Sequence, residues 1–145
     1  MPSTSRDATT HWTGGLRDGK GQVSLDSSNS GQFEVSFPTR FEAPDGKTSP
    51  EELIAAAHSA CLAMNLSGVL GNEGLTADSI DVSAEVTLSV GAGGAEISGI
   101  EITLRAAVPG VEADKFAELA ATAERTCPVS KALAGTKITL DAALV

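Results

Sequence analysis

A chain of 145 residues is long enough for one domain with a sizeable core. Ten Lys and Arg against nineteen Asp and Glu leave a net charge of −9 with no basic cluster, which excludes a surface built to neutralise nucleic-acid phosphates. Aromatic residues make up only 3%, so the core has to come from Ala, Val, Ile and Leu, and a subunit interface is a natural supplement to it.

The start, Met1 to His11, is polar and has no apolar h-region, so no signal peptide is legible and a cytoplasmic location is the default expectation. Short strands are expected at Thr9 to Thr13 and Gln22 to Leu25, on either side of the Gly-rich charged turn from Gly14 to Gly21. Gln32 to Phe37 alternates, with Phe33, Val35 and Phe37 on one side, and Pro38 ends it. Thr39 to Thr48 reads as a polar loop.

The stretch Thr48 to Gly71 reads as a long helix. Ser49 suits the cap, Pro50 the first helical position, and Glu52 the third position of a capping box. From Leu53 to Leu70 the residues are apolar or small on nearly every face, which predicts a buried central helix. Asn65 and Ser67 interrupt the apolar run, which argues for a soluble protein rather than a membrane span.

Ile80 to Val90 then alternates strictly with polar residues, and Ile100 to Val108 alternates in return. The turn is Gly91 to Gly94. Ile97 falls out of phase, and Gly99 beside it predicts a bulge. This hairpin needs a cover for its apolar face, and the central helix is the candidate. A second helix is expected over Glu112 to Arg125, with Phe116, Leu119, Ala120 and Ala123 inward. Cys127-Pro128 interrupts it, Pro128 starts a short third helix, and Gly135 stops it. Lys137 to Ala142 should add an edge strand. Repeats and linkers are absent, so residues 1–145 read as one α+β domain, an antiparallel sheet packed around the central helix.

Cys61 and Cys127 are the only cysteines. In a chain without a secretory leader such a pair is more often redox-active or simply buried than a disulfide scaffold. A cysteine in mid-helix can be an inert small hydrophobe. Cys127 shifts that balance, because it sits at a helix break next to Pro128, where a thiol can be presented and can move. If the two meet, they can cycle between dithiol and disulfide, although a separation of 66 positions does not establish that they do. A thiol in mid-helix gains nothing from the helix N-terminus, so activation of Cys61 needs a nearby cation, and Arg17 or Arg40 are the candidates. As loop arginines, both can equally be plain surface charges.

Glu51 lies ten residues before Cys61, about 15 Å along a straight helix, so the two cannot touch within it. A shared site then places Glu51 on a second subunit, unless the helix kinks or a third group bridges the two. Glu51 alone also reads as a favourable charge at a helix N-terminus. His58, three residues before Cys61, shares its face and allows a Cys–His hydrolase as a rival, or a plain core histidine. A zinc site from His11, His58, Cys61 and Cys127 would have a spacing that fits no known finger.

TSPEELIAAAHSACLAMNLS, from Thr48 to Ser67, followed by TCPVSKAL, from Thr126 to Leu133, resembles the osmotically inducible protein C and organic hydroperoxide resistance family (OsmC/Ohr), and within it the OsmC branch. HWTGG at His11 to Gly15, TRFE at Thr39 to Glu42 and ITLDAAL at Ile138 to Leu144 add to the likeness. The resemblance implies an intertwined homodimer with its sites between subunits. It also implies a thiol peroxidase for organic hydroperoxides, and more weakly for hydrogen peroxide. Cys61 would be the peroxidatic thiolate and Cys127 the resolving thiol. Arg40 would activate the thiolate and Glu51 would hold the arginine, with Arg17 the Ohr-type alternative. The resemblance implies an external dithiol, such as a lipoyl group, as reductant, and no metal, flavin or haem. Ser49 stands where the family commonly has asparagine, and Leu62 where it commonly has phenylalanine beside the peroxide's organic part.

Overall fold

The strand Gly94–Ala107 lies in the middle of one of the two three-stranded sheets of the computed structural model, which describes all residues from Met1 to Val145, and its second half is buried at every other residue. The chain divides into two compact units, Met1–Pro50 and Glu51–Val145. Their elements run in the order β1 (Thr9–Thr13), β2 (Lys20–Ser24), β3 (Gln32–Val35), a 3-10 turn, α1 (Pro50–Asn72), β4 (Ser79–Gly91), β5 (Gly94–Ala107), α2 (Ala113–Thr126), α3 (Pro128–Ala132) and β6 (Ile138–Leu144).

The N-terminal unit is a three-stranded antiparallel sheet of β1 (Thr9–Thr13), β2 (Lys20–Ser24) and β3 (Gln32–Val35), with β2 in the middle. The Trp12 ring lies over the β1–β2 turn and its Nε1 donates to the Gly14 carbonyl at 3.1 Å. Gly21 has to be glycine for this reason, because a Cβ there would sit 2.8 Å from Trp12 Cε3 and 2.9 Å from Val35 Cγ2. The expected strand to Phe37 stops at Val35. Pro38 instead opens a 3-10 turn, Pro38–Arg40, where a polar loop was expected, and the Phe37 and Phe41 rings meet edge-on at 5.4 Å. Val23 is the only buried large hydrophobic side chain of this unit.

In the C-terminal unit, α1 runs from Pro50 to Asn72, with Pro50 at the first helical position as expected. β4 (Ser79–Gly91) and β5 (Gly94–Ala107) form the long antiparallel hairpin. The bulge falls where Gly99 signalled it. Thr87 pairs with Gly99 and Leu88 with Ile97, which leaves Ser98 as the extra residue. Ile100, Ile102, Leu104 and Ala106 of β5 face α1 residues Leu62, Leu66 and Leu70 and α2 residues Phe116, Leu119, Ala120 and Ala123 in one core. The helix α2 runs from Ala113 to Thr126 and α3 from Pro128 to Ala132.

Two expectations are corrected. β6 (Ile138–Leu144) pairs with β5 in parallel, so the second sheet is mixed rather than antiparallel. The physical reason is the α2–α3 crossover, which carries the chain back to the end of the sheet from which β5 started. The central helix is also not buried on every side. Glu51, His58, Leu62, Leu66 and Leu70 are buried, whereas Ala56, Ala57, Ala60, Met64 and Gly68 are exposed. Length and composition alone would let α1 cross a bilayer, but its leucine face is occupied by the unit's own sheet and second helix.

Candidate active site

His58, Cys61 and Asn65 interrupt the apolar residues of α1 along one line. Steps of three and four residues put them on one helix face, one above the other. That face meets the junction of α2 and α3. Cys127 forms the junction with φ −61° and ψ 124°, an extended conformation that the following Pro128 imposes. Its N–H donates to the Glu124 carbonyl at 3.2 Å and its own carbonyl accepts from the Lys131 N–H at 3.0 Å. The backbone of Cys127 is thus tied to both helices.

Each of these three residues has a partner across this contact. His58 Nε2 lies 2.7 Å from Ser130 Oγ. Cys61 Sγ lies 3.1 Å from Cys127 Sγ, within hydrogen-bond reach for sulfur, and both thiols are free. Asn65 Nδ2 donates to the Ala123 carbonyl at 2.6 Å and to Thr126 Oγ1 at 2.8 Å. The Ala123 carbonyl belongs to the last turn of α2, which lacks intrahelical donors, so Asn65 supplies one. The result is a ladder of three polar rungs with the thiol pair in the middle.

The environment treats the two thiols differently. Burial pushes the Cys61 thiol above the ordinary cysteine range, and its hydrogen bond with Cys127 pushes it further, while the Val129 amide opposes both. Burial also acts to raise Cys127. There, however, the Ser130 amide, Cys61, the Ser130 hydroxyl and the Val129 amide outweigh it, and the thiol falls below the ordinary range. Within the pair the two thiols are therefore shifted in opposite directions, Cys61 upward and Cys127 downward. The groups that shift Cys61 include no cation. Cys61 is partly exposed and Cys127 fully buried.

His58 is fully buried. Burial lowers its pKa, against the opposing charge of Glu124, so the ring is neutral near pH 7. Its Nδ1 has no hydrogen-bond partner. Neither ring nitrogen bonds a sulfur, so the contact that a Cys–His hydrolase would use is not made.

Of the residues singled out from the sequence, the structure brings Cys61 and Cys127 together. Glu51 is buried in the first turn of α1, ten residues from Cys61. Arg40, partly buried, ends the 3-10 turn, and Arg17 is exposed between β1 and β2. Both belong to the N-terminal unit, as does His11 on β1. Leu62 is wholly buried in the core of its unit, where a peroxide-facing position was expected. The rungs on either side of the thiol pair, His58–Ser130 and Asn65–Thr126, were not anticipated. Their signal was available: Asn65 interrupts an apolar helix one turn after Cys61, and Ser130 follows Cys127 by three residues.

Residues 43–141 match the family model described as OsmC-like protein. The chain is 45% identical over 131 residues to peroxiredoxin OsmC of Escherichia coli strain K12, covering 90% of each chain. It is 30% identical over 127 residues to an organic hydroperoxide resistance protein of Xanthomonas axonopodis pv. citri, covering 85% of this chain and 83% of the relative. Among solved structures, the crystal structure of an organic hydroperoxide resistance protein from Elizabethkingia anophelis superposes with a TM-score of 0.78 at 29% identity, covering 99% of each chain.

Proposed function

Since this chain belongs to the OsmC family, we propose that it is a cysteine-based peroxidase that reduces organic hydroperoxides, and hydrogen peroxide more weakly, in antioxidant defence. The names of its relatives, a peroxiredoxin and an organic hydroperoxide resistance protein, support a peroxide-detoxifying redox role with peroxidase-like activity. The observation that carries the finer reading is the 3.1 Å separation of two free thiols that lie 66 positions apart.

In this reading the Cys61 thiolate attacks one peroxide oxygen. The O–O bond breaks, an alcohol or water leaves, and the sulfur is oxidised to a sulfenic acid. The Cys127 thiolate then attacks the Cys61 sulfur. An S–S bond forms, the S–O bond breaks, and hydroxide leaves with the proton released by Cys127 as water. An external dithiol, such as a lipoylated protein, reduces the disulfide. A pair that must be re-reduced in every cycle needs a reducing compartment, so the reading carries a cytoplasmic location.

Cys61 needs help in the first step, because its own unit raises its pKa. An arginine from an N-terminal unit supplies it: Arg40, held by the Glu51 carboxylate through a charge-assisted fork, with Arg17 as the alternative. The reading includes a homodimer. Two observations support a second copy. The exposed face of α1 offers small residues and Met64, and the N-terminal sheet leaves Trp12, Leu16, Phe33 and Phe41 more than a third exposed. The test is Cys61→Ser assayed with an alkyl or aryl hydroperoxide and a dithiol. Peroxide consumption should vanish, and a retained rate would end the role assigned to this residue.

A further inference from the structure

His58 is a fully buried, titratable side chain with an unpartnered nitrogen, one turn from the peroxidatic thiol, and the chemistry above does not use it. Its hydrogen bond to Ser130 runs parallel to the contact between the two sulfurs. His58 stands three residues before Cys61 on α1, and Ser130 three residues after Cys127, at the start of α3.

The tautomer follows from the partners. Nδ1 has nothing to donate to, so the ring proton belongs on Nε2, where Ser130 Oγ accepts it at 2.7 Å. With its oxygen accepting from His58, the Ser130 hydroxyl has its own hydrogen left to give. Cys127 is the N-cap residue of the short helix that carries Ser130, three positions before it.

Resting on the peroxidase reading, we propose that His58 and Ser130 are positioning residues for the resolving thiol: the imidazole orients the Ser130 hydroxyl, and the hydroxyl holds the Cys127 sulfur as a thiolate facing Cys61. The downward shift of the Cys127 thiol from its ordinary range, to which the Ser130 hydroxyl contributes, agrees with this. The groups that act on the relay are Cys61 from α1, Glu124 from α2, and the Ser130 and Val129 amides from α3. The relay needs a neutral imidazole, and burial keeps it so. It moves no proton between molecules; the step it serves is the attack of Cys127 on the Cys61 sulfenic acid.

Two readouts on the full-length chain test this. In Cys61→Ser, Cys127 is the only thiol, and the chain has no tyrosine, so thiolate absorbance near 240 nm reports Cys127 without phenolate overlap. Adding Ser130→Ala or His58→Leu to this background should move the titration upward, and His58→Gln, which keeps a donor near the Nε2 position, should move it back. In the chain with both cysteines, Ser130→Ala should slow disulfide closure about tenfold, the size of one lost hydrogen bond to a charged group, with the Cys61 sulfenic acid trapped by dimedone meanwhile. A Ser130→Ala titration that superposes on its parent, or closure at the wild-type rate, overturns the proposal. The titration uses no peroxide, so it stands apart from the peroxidase reading. That reading fails separately if the unaltered chain forms no disulfide.

Discussion

Cys61 Sγ and Cys127 Sγ face each other at 3.1 Å, with His58–Ser130 one turn before them on α1 and Asn65–Thr126 one turn after. The thiols meet because two helices are pinned on either side of them, not because a loop folds over. In the proposed cycle, a pair held in this way would close without a large rearrangement of the unit that carries it.

Removing the resolving sulfur should separate the two halves of the cycle. Cys127→Ser is expected to consume one equivalent of peroxide per chain and then stall, with Cys61 reactive to dimedone or further oxidised. Peroxide loss followed in time against chain concentration checks this, and sustained turnover would contradict it.

The two arginines are separable by kinetics. Arg40→Ala should lower the second-order rate with an organic hydroperoxide by about tenfold or more, since removing a charged partner of a thiolate costs roughly 1.5–3 kcal/mol. Arg17→Ala should change it little. The reverse pattern would assign the role to Arg17. Stopped-flow oxidation of the reduced variants makes the comparison.

Much of the C-terminal unit was legible in the sequence. Pro50 opened α1, the period of two gave the hairpin, Gly99 marked the bulge, and Phe116, Leu119, Ala120 and Ala123 proved to be the buried stripe of α2. The direction of β6 was missed because alternation of side chains carries no polarity; the helical crossover before it was the available clue. The exposed face of α1 was missed for a different reason. Apolarity on all sides says that a face wants cover, but not that the same chain provides it. The thiol pair was marked by motif, whereas the rungs beside it depend on which residues of α1 and α3 come opposite each other. Spacing along one helix does not give that.

Asn65 should matter to stability as well as to position. Asn65→Ala removes donors from the Ala123 carbonyl and from Thr126 Oγ1, and should destabilise the fold by about 1–3 kcal/mol. Urea unfolding checks this; a midpoint unchanged from the parent would mean that water replaces the amide at no cost.

His58 predicts an acid limb in stability. Its folded pKa lies below the ordinary value because burial disfavours the charged ring. Above about pH 6.5 both folded and unfolded forms are neutral, and its contribution is fully present. As the pH falls through that value, the unfolded chain takes up the proton first, and stability is lost until the folded ring also titrates. His58→Gln should flatten this limb, measured as urea midpoint against pH. A limb identical in both proteins would assign the acid sensitivity to other groups.

The most direct measurement is the mass and linkage of the reduced chain after one equivalent of cumene hydroperoxide. The account predicts the loss of two hydrogens and a peptide pair joined through Cys61 and Cys127. Peroxide-treated chains that retain both thiols unchanged would contradict it.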